Sequence, residues 1–309
     1  MRFEPLAPVP TVVLAERLRQ IPLFRFVSVD ELFRVSAISQ QVRYETNSTV
    51  QEKGARAEYI QVLLEGSFEI RSGQHGAERL DPPAMLGFQE VLEGTTLRNE
   101  ARASTESVAL VMPAEEFRTL LSANIELAQG LFRMLLEQNG GDVSPSRIRV
   151  SSPGQAVKAG QPVQVPLLTE DLKTVDKVLY LQMIPILARA TADELYVLAA
   201  ITREVSFQLD EILFSEGNPS SILLVLAGSV ALESPSGGES ENASAGDCLG
   251  AEETLAGADW SWRGRATSPG KALRIDREAL FEVLADYTDL LQGIFGAIFG
   301  VHKTDSSKS

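Results

Sequence analysis

Leu86-Gly87-Phe88-Gln89-Glu90 returns 163 positions later as Leu249-Gly250-Ala251-Glu252-Glu253, and the same offset relates much of the first half of the chain to the second. Ile21-Pro22-Leu23-Phe24 recurs as Ile184-Pro185-Ile186-Leu187, and Asp30-Glu31-Leu32 as Asp193-Glu194-Leu195. Tyr44, Val50 and Gly54 recur as Phe207, Leu213 and Gly217. Gly66-Ser67-Phe68 matches Gly228-Ser229-Val230 after a slip of one residue; Gly94 and Arg102-Ala103 realign with Gly257 and Arg265-Ala266. A register kept this long is a tandem duplication, so the chain must fold as two copies of one unit. Its 309 residues suit two domains better than one core.

Each copy has the same grammar. A short amphipathic helix opens it, over Thr11–Gln20 and Thr169–Gln182. Ser28 and Thr191 then precede Glu31 and Glu194 by three positions, the spacing of a capping box at a helix start. Strands are expected over Gln41–Tyr44, Thr49–Gln51, Tyr59–Glu65 and Ser67–Arg71. Their counterparts are Glu204–Phe207, Ile212–Phe214, Ser221–Ala227 and Ser229–Glu233. Asn47 and Asp210 fall where a tight turn wants a side chain that tolerates positive φ. Each copy is expected to end with two helices, near Ala114–Gln138 and Arg277–Val301. The fold class is α+β: two tandem antiparallel β-rolls, jelly-roll-like and flanked by helices, over 11–138 and 169–302. Between them, 139–168 is rich in Gly, Pro, Ser and Gln and reads as a flexible linker. The polar tail Lys303–Ser309 is expected to fray.

Composition excludes several functions. A net charge of -14 opposes binding to a phosphate backbone, so nucleic acid is not an expected partner. No run of 18 apolar residues is present, so no membrane span is expected. Met1-Arg2-Phe3-Glu4-Pro5 does not read as a signal peptide. The single thiol, Cys248, leaves no internal disulfide and points to a cytoplasmic protein. With His75 and His302 alone, both expected in solvent, neither a His-based metal site nor a Ser-His-Asp device has raw material.

The ordered set "IPLF", the "DEL" helix, "LLEGSFEI" and "LLVLAGSVAL", the loop glycine and the "ARA" or "GRA" strand, present twice, resembles the cyclic nucleotide-binding domain family. The resemblance covers residues 11–138 and 169–302. It implies a ligand loop reading Phe-Gly-Glu-Leu-Ala, with an Arg ten residues after the Gly and an Ala six further on. The loop helix would aim backbone N–H groups at a cyclic phosphate, the Arg would clamp that phosphate, and the Glu would accept the ribose hydroxyl. Counted from Gly87, the Ala falls on Ala103, but the Glu position holds Phe88 and the Arg position Leu97. Counted from Gly250, the Ala falls on Ala266, with Ala251 and Trp260 at the two anchors. Losing two charge-assisted contacts weakens binding by about 10²- to 10⁴-fold. Arg98 and Arg263 lie just past the slots; a bulge would be needed to bring either inward. Arg102 and Arg265 are expected to face solvent.

Other candidates read as structural. Cys248 beside Asp247 is expected to be packed and inert, and Glu115-Glu116 and Glu252-Glu253 to be solvated rather than catalytic. On the last helix Tyr287, Leu290, Leu291, Ile294, Phe295, Ile298 and Phe299 form an apolar stripe. Gly293, Gly296, Ala297 and Gly300 beside it would let another backbone approach. Two fates are open to the stripe: packing on its own roll, or a partner surface to which Trp260 and Trp262 add aromatic area. The expected function is a non-enzymatic regulatory or scaffolding protein with degenerate pockets, no cofactor, and a protein partner or self-association. The alternative is a sensor of a cyclic nucleotide or other small effector, which requires Arg98 or Arg263 turned inward or an enclosed apolar cavity.

Overall fold

A computed structural model describes residues 4–72, 76–138, 147–149, 171–234 and 241–305. The chain divides into two compact units, residues 1–134 and 135–309. His75 and most of the expected linker lie outside the described residues.

The first unit begins with β1 (Glu4–Pro5), α1 (Thr11–Arg19), α2 (Val29–Ala37), β2 (Gln40–Tyr44), β3 (Thr49–Gln51) and β4 (Tyr59–Glu65). It continues with β5 (Phe68–Ser72), β6 (Gly76–Leu80), β7 (Ala84–Leu86), α3 (Phe88–Glu93), β8 (Glu100–Ala103) and β9 (Ser107–Pro113). Helices α4 (Ala114–Ala123) and α5 (Ile125–Gln138) follow, the expected closing pair, separated at Asn124. Two sheets form the roll, ordered β1-β2-β9-β4-β7 and β3-β8-β5-β6. Their inward side chains, among them Val42, Tyr44, Val50, Leu63, Phe68 and Val111, make one buried core.

In the second unit, β10 (Arg147–Arg149) precedes α6 (Thr174–Leu181), α7 (Ala192–Ile201), β11 (Arg203–Phe207) and β12 (Ile212–Phe214). Then come β13 (Ser221–Glu233), β14 (Glu241–Ser244), β15 (Asp247–Leu249), α8 (Ala251–Leu255), β16 (Arg263–Asp276), α9 (Arg277–Asp286) and α10 (Thr288–Asp305). The two strands expected over Ser221–Ala227 and Ser229–Glu233 are one strand, β13, with register shifts around Ala227 and Ser229. Three residues of the expected linker are ordered as β10, antiparallel to β15, with Ile148 opposite Cys248. Helix α10 runs to Asp305, into the segment expected to fray.

Local signals work as the sequence implies. Thr191 and Glu194 form a reciprocal capping box, whereas Ser28 accepts from the Glu31 N–H and Glu31 turns its carboxylate to Arg34 (3.4 Å). Asn47 and Asp210 take φ of 65° and 66°, and their N–H groups donate to the carbonyls of Ala103 and Ala266. The copies keep the 163-residue offset at Gly54 and Gly217, whose N–H groups donate to Leu97 and Trp260 (both 2.8 Å). Further on, a Cβ added at Gly87 would meet the Tyr59 carbonyl and one at Gly250 the Ser221 carbonyl. The one-residue slip therefore falls in the loop before β4, ahead of Gly66.

The last helix resolves the choice the sequence left open. Leu290, Leu291, Ile294, Phe295 and Ile298 are buried, and α10 packs on the Pro185–Leu187 turn and on α9. The small residues admit the chain's own Arg189, whose side chain crosses Gly293 and Gly296. Only the ends of the stripe reach the surface: Tyr287 is 37% exposed and Phe299 half-buried. The apolar face is satisfied inside its own unit.

Candidate ligand pocket

The ligand loop is built by a left-handed glycine. Gly87 has φ 75° and starts α3, and Gly250 has φ 72° and starts α8. A Cβ at Gly87 would stand 2.5 Å from the Tyr59 carbonyl oxygen, so steric exclusion and positive φ both demand glycine here. The residue at the former Glu position is spent on packing in each copy. Phe88 meets Phe117 of α4 edge-to-face with ring centroids 6.4 Å apart, and Ala251 is fully buried. Phe88 is thus part of the roll-to-helix core and not of the cavity wall.

At the former Arg position the copies diverge. Leu97 and Trp260 are equivalent by backbone: the Leu97 N–H donates to Ala55 (2.9 Å) and the Trp260 N–H to Asn218 (2.8 Å). On the facing strand, Gln51 of β3 lies opposite Ala101, and Phe214 of β12 opposite Gly264, again 163 positions apart. In the second unit these two positions close the pocket. The Trp260 indole stacks on Phe214 at 3.9 Å between centroids and 15° between planes, presses on Gly250, and is 3% exposed. Trp262 packs partly buried against the same cluster. Of the two tryptophans expected to add exposed aromatic surface, Trp260 belongs instead to the core of its unit and Trp262 lies partly buried at its edge.

In the first unit, Leu97 and Gln51 leave a cavity of about 160 Å³, lined also by Tyr59 and Gln61. Tyr44 donates its hydroxyl to Gln61 Oε1, and Gln61 Nε2 donates to the Val50 carbonyl at 3.2 Å. Burial, and then Tyr59 beside it, push the Tyr44 phenol far above its ordinary range, so it stays a donor. Gln51 Nε2 donates to the Asn99 carbonyl at 2.9 Å.

Neither arginine supplies the missing cation. Arg98 is ion-paired with Glu93 of α3, whose side chain is 2% exposed and also accepts from Gln89 (2.9 Å). Arg263 is exposed on β16 opposite Glu233. Arg102 pairs with Glu100 (2.7 Å) and Arg265 with Glu233, both on exposed faces. The sequence reading missed Gln51, Gln61 and Phe214. The available signal was a polar residue in one copy at a position that holds an aromatic or aliphatic residue in the other.

Cys248 is fully buried in β15, between Ile148 and Leu224. Burial first, then Glu253 and Asp247, push its thiol up to about 12. The native thiolate fraction at neutral pH then falls about a thousandfold below that of an ordinary cysteine. Alkylation by iodoacetamide at pH 8 is expected to be at least about a hundredfold slower in native protein than in urea; equal rates would contradict this burial. Burial, then Glu253, also raises the Glu252 carboxyl. Among the described residues no group of three His, Cys, Asp or Glu is placed to hold a metal, and no helix is long and apolar enough to cross a membrane.

A roll whose left-handed glycine opens a short helix, built twice, defines a class of tandem β-roll modules. The chain belongs to the cyclic nucleotide-binding domain family, which it matches over residues 41–124 and 204–287. Among solved structures it is similar to the regulatory subunit of a cAMP-independent protein kinase A from Trypanosoma brucei. That match has 15% identity, 99% of this chain and 92% of that chain covered, and a TM-score of 0.36. The corresponding subunit from Trypanosoma cruzi, bound to guanosine, gives 14% identity, 100% and 94% coverage and a TM-score of 0.36. A cyclic nucleotide-binding protein from Geobacter metallireducens gives 22% identity over 39% of this chain and 90% of that chain, with a TM-score of 0.36. No curated protein matches.

Proposed function

We propose that this protein is a non-catalytic regulatory module that acts by holding a protein partner and does not read cyclic nucleotides in its family's manner. The observation that carries this reading is the Trp260–Phe214 stack, which occupies the second pocket with the chain's own rings. In the first pocket Leu97 stands where the family's phosphate anchor would be, the lining Arg56 is paired with Glu115, and Arg98 is committed to Glu93. A partner of protein nature is supported by apolar side chains exposed at matched positions of both copies. Val12 and Val175 are 59% and 62% exposed, and Phe33 and Tyr196 are 36% and 54% exposed. The net charge of -14 disfavours nucleic acid as that partner, and the lone, buried thiol suits a cytoplasmic setting.

Titration calorimetry with cyclic AMP, cyclic GMP and a cyclic dinucleotide at low salt tests the reading. No saturable heat is expected up to millimolar ligand. A micromolar dissociation constant for any of the three would overturn it and make the protein a nucleotide sensor.

A further inference from the structure

We infer that the first domain carries, on the end of α1 and the turn after it, a docking surface for an acidic segment of a partner protein, held by Arg17, Arg19, Arg25 and Arg133. From Arg34 to Arg118 every arginine has a carboxylate at 3.5 Å or less. Among the described residues Arg17, Arg19 and Arg25 have none, although the chain carries 42 acidic residues against 28 basic ones. Arg19 and Arg25 are exposed and Arg17 is half-buried.

The fold gathers these cations. Arg17 and Arg19 lie in the last turn of α1, and Arg25 caps the Pro22–Phe24 turn that follows. At the rise of helical turns, six residues put Arg25 within about 12 Å of Arg19. A Cβ at Gly130 would stand 2.9 Å from the Phe26 carbonyl oxygen, so the turn is pressed onto α5. There the Arg25 and Arg133 guanidiniums lie 5.1 and 4.5 Å from the centre of one ring, Phe26. The negative π-face of the ring lets two like charges share it.

The duplication shows that the roll does not require this cluster. The four positions hold Tyr180, Gln182, Ala188 and Gly296 in the second copy, and Arg189 stands where Phe26 does. Helix α6 ends without a cation in its last turn, so a helix of this roll closes well without Arg17 and Arg19. Arg189 lies across Gly293 and Gly296, and Lys177 Nζ donates to the Thr202 carbonyl (2.7 Å). In the second copy the cations serve its own packing; in the first, Arg19 and Arg25 face solvent.

Charge names the occupant. Planar guanidiniums take carboxylates through paired hydrogen bonds. Beyond a Debye length of about 8–10 Å the field is that of a chain with net charge -14, which repels a long polyanion and admits a short acidic stretch. Val12 and Val13, 59% and 40% exposed on the same helix, add apolar area that suits a peptide better than a sugar-phosphate backbone. Helix α1 itself carries one carboxylate, the exposed Glu16.

The surface rests on the proposed function only in needing a protein partner. The full-length protein is titrated with octaglutamate at low salt and followed by backbone amide NMR. Saturable shifts at Arg19, Arg25 and Phe26 are expected, and they vanish as salt is raised. Arg19→Gln/Arg25→Ala, which copies the second domain at both positions, is expected to weaken binding about tenfold and leave the rest of the spectrum unchanged. Undiminished binding by this variant, or shifts elsewhere in place of these, would overturn the surface. So would tighter binding of a single-stranded oligonucleotide of equal charge, which would make it a polyanion site. The same amides shifting with protein concentration alone would make the occupant a second copy and overturn it too. Cyclic AMP separates the two readings. Saturable heat with it overturns the proposed function and leaves the octaglutamate shifts standing, whereas silence from octaglutamate overturns this surface alone.

Discussion

Trp260→Ala is expected to destabilise the second domain by about 3–5 kcal/mol. Trp260 is buried, stacked on Phe214 and seated against Gly250, so truncation removes the largest ring of its cluster and leaves a hole at the former ligand position. The surrounding strands cannot close over it, because β12 and β16 are fixed by the Phe214–Gly264 pairing. Urea denaturation checks the effect with a selective probe. The chain has two tryptophans, and Trp262, which remains in the variant, lies in the same unit, so tryptophan fluorescence reports on that unit alone. A loss below about 1 kcal/mol would mean that the indole is a loosely held plug and that the second pocket can open.

Arg98→Met is expected to cost the first domain about 2–3 kcal/mol, at the lower end for a broken buried ion pair because Arg98 is itself partly exposed. The loss comes from leaving the Glu93 carboxylate in place without its cation. Adding Glu93→Gln to Arg98→Met is therefore expected to restore most of the stability, since a neutral amide at 93 needs no cation and can still face Gln89. Denaturation followed by circular dichroism measures the cycle. If Arg98→Met were neutral on its own, the arginine would be free to turn into the pocket, and the nucleotide-sensing alternative would regain its missing contact.

The capping box at Thr191, the left-handed turns at Asn47 and Asp210 and the loop glycines Gly87 and Gly250 depend on residues close together in the chain, and the duplication is a plain repeat of the sequence itself. Each followed from local chemistry. So did the missing anchors: the slots counted from the glycines fall on Leu97 and Trp260, and the matching backbone hydrogen bonds show the two to be equivalent. The destination of each side chain was not local. Arg98 was one residue past its slot by counting, but Glu93 five residues earlier claims it. The stripe on α10 had two possible covers, and Arg189 with the Pro185–Leu187 turn supplies one.

Trp260 shows the division most clearly. Sequence placed it at the anchor position and allowed it an exposed, partner-facing role; only the fold brings Phe214, 46 positions earlier, into a 3.9 Å stack with it. The same holds for Gln51 and Leu97, whose cavity exists because two strands distant in sequence face each other. Backbone conformation, caps and repeat register are set by neighbours in the chain and are written in the sequence. Whether a pocket is filled, open, or charged depends on which distant side chains share one volume, and close packing in three dimensions decides that.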